Sequence, residues 1–207
     1  MHDFKRLDTV ANHTGGAGAD TLTGGAGDDT FVYDLSESGA DTIKGFVAAG
    51  TDDVIRINAV LKDGNTPSSV TTVDNTDDIA AGNFDVSATV DDLSAAAQAD
   101  VVVQGFSTDI SGFDASGLTN GTNGIDFAAA SEANIEANVE GALEDTGGTL
   151  HSGNSAVGNA GDTANMILAF WDGTNTALVQ YTEAGNDADF NGELDLIGVL
   201  EGTAIGS

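Results

Sequence analysis

The chain has 207 residues, of which 34 are Asp or Glu and only 5 are Lys or Arg, giving a formal net charge of -29 at pH 7. A field of that sign repels phosphate backbones and anionic headgroups, so nucleic acid and acidic membrane surfaces are excluded as partners. The absence of cysteine excludes disulfides and thiolate metal sites. With 40% hydrophobic residues the chain can still bury a core, in one domain or two small ones.

The opening Met1-His2-Asp3-Phe4-Lys5-Arg6 carries no apolar signal-peptide segment. Nowhere does the chain approach the roughly 18 consecutive apolar residues of a membrane helix, so no membrane span is expected. From Gly15 two nine-residue units run head to tail, Gly15-Gly16-Ala17-Gly18-Ala19-Asp20-Thr21-Leu22-Thr23 and Gly24-Gly25-Ala26-Gly27-Asp28-Asp29-Thr30-Phe31-Val32. Both fit G-G-x-G-x-D-x-U-x, in which glycines at positions one, two and four allow a tight turn with positive φ and turn carbonyl oxygens inward. The Asp at position six adds a carboxylate, and an all-oxygen cage suits a hard cation such as Ca2+ rather than zinc or copper. Leu22 and Phe31, at position eight, are expected to face inward from three-residue strands. His13, directly before the first unit, is expected in a solvent-exposed turn. A phosphate-binding loop is excluded, because no Gly-Lys-Ser/Thr follows the glycines.

The repeats and the stretch after them resemble the calcium-binding β-roll of the repeats-in-toxin family, whose members leave bacteria through type I secretion systems. In that family the last repeat runs into D-x-F-x-Y, a variable insert, D-x-I-x-D-F and a D-x-I-D-L strand. Here the chain reads Asp29-Thr30-Phe31-Val32-Tyr33, then Asp41-Thr42-Ile43-Lys44-Gly45-Phe46, then Asp53-Val54-Ile55-Arg56-Ile57. The resemblance covers residues 12–58 and implies calcium ligands at Gly16, Gly18, Asp20, Gly25, Gly27, Asp29, Asp41 and Asp53. Gly45 and Arg56 stand where the family has Asp. In a two-sided roll successive turns fall on opposite sides, which stacks Asp20 with Asp41, and Asp29 with the Asp52-Asp53 turn. So short a roll is expected to lean on the rest of the chain, since solenoids need about three units to bury a continuous core.

Further along, residues 52–61 read as a strand and residues 62–67, with the only proline, as a turn. Residues 71–90 suggest short strands and loops, residues 91–99 a short helix, and residues 101–106 a strand. From Asp126, a candidate N-cap, Phe127, Ile135, Val139 and Leu143 recur at helical spacing until Gly147-Gly148, and Glu132, Glu136 and Glu140 form a face expected to be solvated. Residues 166–171 and 176–182 flank Asp172-Gly173-Thr174-Asn175 as a β-hairpin, and residues 194–200 supply a third strand. Between them Asp187-Ala188-Asp189-Phe190-Asn191-Gly192 copies the first half of an EF-hand loop, but Gly198 holds the place of its bidentate Glu. A looser calcium site through Asp187, Asp189 and Asn191 and a plain polar turn are both open.

The expected fold is mainly β: a short calcium-binding parallel β-roll over residues 1–58, a mixed region over 59–160, and a hairpin-rich C-terminal region over 161–207 with one or two short helices in the chain. The C-terminal hairpin, acidic loop and final strand resemble the C-terminal region of type I secreted proteins, which implies a secretion signal there. His2, His13 and His151 fall in no zinc-enzyme arrangement, no G-x-S-x-G elbow occurs, and no acid pair stands out, so no catalytic constellation is found. The expected protein is non-enzymatic, calcium-dependent and extracellular, a self-assembling subunit of a surface layer, filament or matrix. Its partners are calcium ions, further copies of itself and the type I machinery. A secretion module of a larger hydrolase or toxin, and an adhesin, are the alternatives.

Overall fold

The computed structural model describes residues 11–33, 39–46, 53–57, 62–63, 66–67, 72–74, 85–87, 103–110, 124–144, 165–182 and 194–203. The protein is mainly β, with one helix among the described residues. Strands β1 (Asn12–Thr14), β2 (Thr21–Thr23), β3 (Thr30–Tyr33), β4 (Asp41–Lys44) and β5 (Val54–Ile57) are three or four residues long. For β1, β2 and β3 that brevity follows from the nine-residue period, which leaves three or four residues for a strand once the glycine turn is made. β6 (Lys62–Asp63), β7 (Thr66–Pro67), β8 (Thr72–Asp74), β9 (Asp85–Ser87) and β10 (Val103–Asp109) come next. Helix α1 (Glu132–Glu144) precedes the strands β11 (Asn165–Trp171), β12 (Thr176–Thr182) and β13 (Leu194–Glu201).

The first five strands alternate between two sheets. β1, β3 and β5 pair in parallel, with His13 beside Phe31 and Phe31 beside Ile55, and β8 closes that sheet antiparallel to β5. β2 and β4 also pair in parallel, with Leu22 beside Ile43. The second sheet does not end there: β13 adds parallel to β4, Gly198 opposite Asp41, and the sheet runs on in the order β2-β4-β13-β12-β11-β10-β9. The N-terminal repeats and the C-terminal strands therefore share one sheet across the expected boundaries at 58 and 161.

Side chains on the C-terminal strands alternate between two cores. Leu168, Phe170, Ala177, Val179, Tyr181, Leu196 and Val199 pack with Ile135, Val139 and Leu143 of α1. Ile167, Ala169, Leu178, Ile197 and Leu200 pack with Phe31, Ile43, Ile55 and Ile57. The large sheet thus lies between the helix and the small sheet, which is why β11 to β13 read as almost continuous apolar runs. A register shift between Leu178 and Val179 makes Ile197 the extra residue of β13, so that Leu196 and Val199 both face the helix.

The hairpin is as expected, Trp171 opposite Thr176. Its turn is pinned by Asp172, a buried carboxylate that accepts from the N–H groups of Thr174 (2.8 Å), Asn175 (2.6 Å) and Phe127 (2.6 Å) and from Asn175 Nδ2 (3.0 Å). The expected helix start is corrected. Asp126 caps a separate turn through Ala128 N–H (3.0 Å), and α1 begins after Ser131, whose carbonyl accepts from Asn134 and Ile135. The strand expected over 52–61 is described only as Val54–Ile57, that over 101–106 lies at Val103–Asp109, and residues 62–67 form the antiparallel pair β6 and β7. The helix expected over 91–99 lies outside the described residues. No helix among those described is long and apolar enough to cross a membrane.

Candidate metal centre

At the turn ends of the first five strands one pattern of bonds occurs three times. Asp29 Oδ1 accepts from Ala11 N–H at 3.1 Å, Asp41 Oδ1 from Asp20 N–H at 2.9 Å, and Asp53 Oδ1 from Asp29 N–H at 2.9 Å, across 18, 21 and 24 residues respectively. In each case the next N–H answers at 2.8 Å: Thr30 donates to Ala11 O, Thr42 to Asp20 O and Val54 to Asp29 O. The position-six carboxylate of one turn is therefore clamped over position six of the turn two before it. Charge-assisted bonds of this type are the stronger class, and they fix the carboxylate as well as the strand register.

Position six and position eight lie on the same face of a strand, because side chains alternate with period two. Asp29, Asp41 and Asp53 are accordingly 1–3% exposed, at the rim of the core formed by Phe31, Ile43 and Ile55. Asp20 is different: its backbone joins the clamp but its side chain is exposed. Gly16, Gly18, Gly25 and Gly27 all have positive φ, between 83° and 150°, as the turn requires. The first glycine of each unit has another role. A Cβ on Gly15 would stand 2.8 Å from Asp41 Cγ, and one on Gly24 would stand 3.0 Å from Asp29 Oδ2, so each leaves room for a carboxylate. Gly45, where the resembled family has Asp, sits at φ +71°, a conformation that a side chain would strain.

His13 is corrected. It is a strand residue, one period before Leu22, and its side chain is 21% exposed with its ring stacked on Phe31 at 5.0 Å between centroids. Counting nine residues back from Leu22 is the signal that would have found it. Its Nε2 lies 3.4 Å from Asp29 Oδ1, and both that nitrogen and Asp29 Oδ2 are buried without a hydrogen-bond partner.

Beside this stack, the Tyr33 ring passes across to β13. Its hydroxyl would be 2.6 Å from a Cβ on Gly198, and burial, then the charge of Asp41, push its ionisation far above the ordinary tyrosine range. A second acidic group comprises Glu132, Glu136 and Asp195, whose carboxylate oxygens lie within 4.8 Å of one another. The solvated face expected for these glutamates is corrected at Glu136, which is half-buried against β13 and accepts from Leu196 N–H at 3.0 Å. Burial raises its pKa, the bond from Leu196 opposes that, and Glu132, Asp195 and Glu140 raise it further. Asp52, Asp187, Asp189 and Asn191 lie outside the described residues. Comparison of the chain with protein-family models, with curated proteins and with solved structures returned no match.

Proposed function

We propose that residues 11–57 form a calcium-binding parallel β-roll, and that the protein is a non-enzymatic, extracellular structural subunit that orders and self-assembles when calcium is present. The observation that carries this reading is the thrice-repeated carboxylate clamp, which holds Asp29, Asp41 and Asp53 at 1–3% exposure. The backbone bonds offset part of the cost of burying carboxylates in a chain of net charge -29, and a bound cation would offset more of it. The residues fit calcium: Asp29, Asp41 and Asp53 supply carboxylate oxygens, and turns built on Gly16, Gly18, Gly25 and Gly27 can supply carbonyl oxygens. Bound calcium would contribute positive charge that neutralises the clamped carboxylates. The polar strands β1 and β2, adjacent at one end of the stack and each terminal in its sheet, support edge-to-edge assembly. Export through a type I system rests on the family resemblance alone.

Each site would stabilise the fold by about 2.7 kcal/mol when calcium stands a hundredfold above its Kd. Circular dichroism in chelator is expected to show loss of β structure that millimolar calcium restores, with Asp41→Asn and Asp53→Asn lowering calcium affinity. An unchanged spectrum and melting temperature would overturn the calcium reading. Light scattering is expected to report monomers in chelator and assemblies in millimolar calcium, but none in about 150 mM sodium chloride, which only screens charge. A monodisperse monomer in calcium would overturn self-assembly.

A further inference from the structure

The donor set changes at one level of the stack. Under Asp41 and Asp53 the lower turn presents Asp20 and Asp29 at position six, but under Asp29 it presents Ala11, which has no polar side chain. The group that approaches Asp29 instead is the His13 imidazole. Nε2 of His13 and Oδ2 of Asp29 are both buried and both lack a hydrogen-bond partner, so each of the two neighbouring side chains carries an unsatisfied polar atom, which costs free energy. The 3.4 Å between Nε2 and Asp29 Oδ1 is long for a hydrogen bond. It matches the separation of two donors held by one tetrahedral ion, since ligands about 2.05 Å from such an ion stand about 3.4 Å apart. Stacking on Phe31, with the rings inclined by 21°, holds the imidazole plane in place. Imidazole with carboxylate is a donor pair suited to zinc and its neighbours, whereas calcium takes oxygen alone.

We propose that His13 and Asp29 form a binding site for a divalent transition cation of the zinc type at the N-terminal end of the stack, distinct from the oxygen-only levels beyond it. The imidazole carries its proton on Nδ1 and presents Nε2 to the ion, and water completes the coordination. Such an ion ties the edge strand β1 to β3 and does so whether or not calcium occupies the other levels.

The test uses the full chain in saturating calcium, titrated with zinc chloride and followed by calorimetry. One equivalent is expected to bind. His13→Phe, which keeps an aromatic ring on Phe31 but removes the nitrogen, should weaken that equivalent by about a hundredfold or more, at or above the loss caused by removing an outer-shell partner. His2→Ala and His151→Ala should leave it unchanged. The same equivalent bound with unchanged affinity by His13→Phe, or no zinc uptake by the unmodified chain, overturns the site. Nitrogen NMR of labelled histidines in the unmodified chain gives a readout free of any folding defect: zinc is expected to shift Nε2 of His13, and a shift confined to His2 or His151 overturns the assignment.

Discussion

Replacing Gly15 by alanine tests whether the glycine at the head of the first unit serves the carboxylate of Asp41. The new methyl would stand 2.8 Å from Asp41 Cγ and 2.9 Å from Oδ1, inside van der Waals contact. That carboxylate cannot simply move aside, because it is buried and accepts the Asp20 N–H at 2.9 Å. Overpacking of this kind costs about 1–3 kcal/mol, while the loss of backbone freedom in the unfolded chain returns about 0.4–1 kcal/mol. The net expectation is a loss of about 1–2 kcal/mol. Asp41→Ala alone should cost about 1.5–3 kcal/mol through the lost charge-assisted bond, and up to about 2.7 kcal/mol more through the lost calcium ligand, a term common to both Asp41→Ala proteins that cancels in the cycle. In the Asp41→Ala background the clash is gone, and Gly15→Ala should become neutral or slightly stabilising. The double-mutant cycle, read from urea midpoints in calcium at constant m, should therefore give a coupling of about 1.5–2.5 kcal/mol. Additivity within about 0.5 kcal/mol would refute the claim that Gly15 makes room for Asp41.

Tyr33→Phe should be neutral or stabilise by up to about 1 kcal/mol, because it removes a buried hydroxyl that has no partner; a loss above about 1 kcal/mol by urea denaturation would mean that the hydroxyl is satisfied. At Glu136 the folded-state pKa is raised above the unfolded value, so ionisation at neutral pH opposes folding, and the penalty fades as pH falls through the folded pKa towards the unfolded one. Glu136→Gln, which keeps an acceptor for Leu196 N–H, should therefore be the more stable protein at neutral pH and lose that advantage by about pH 4. A difference between the two proteins that is constant across that range would contradict the sign of the shift.

The stack of turns was legible because its determinants are local. Glycines at fixed positions set the turns, and the resemblance to a two-sided roll implied Asp41 above Asp20 and the Asp52-Asp53 turn above Asp29. His13 was hidden because histidine occupied a position that the motif reserves for an aliphatic or aromatic residue, although its phase was right. The start of α1 was misread because Asp126 spends its side chain on an Asx turn rather than a helix cap. Least legible was the pairing of β13 with β4, which joins residues more than 150 positions apart and leaves no local periodicity to read. The burial of Glu136 follows from that same distant strand, so it was equally out of reach.

The pairing of β4 with β13 also explains how two full repeats can hold a fold. A nonapeptide strand buries one face at most and needs a neighbour on each edge. β4 has β2 on one edge and finds β13 on the other, where a third unit would otherwise stand, and β5 finds β8. The stack is thus covered at its C-terminal end by β13 and β8, and at its other end the terminal strands of the two sheets are β1 and β2. Thr42 N–H donates to Asp20 O and Gly24 N–H to Lys44 O, so the bonds to β4 are made at the even-numbered residues that flank β2, and the amides of Thr21 and Thr23 point away from β4, to the open edge. Thr23→Pro removes one of those amides at a position where an edge strand tolerates proline. It should abolish calcium-triggered assembly in light scattering while changing monomer stability by no more than about 1 kcal/mol. Assembly that proceeds at the unmodified rate would show that copies do not meet through the β2 edge.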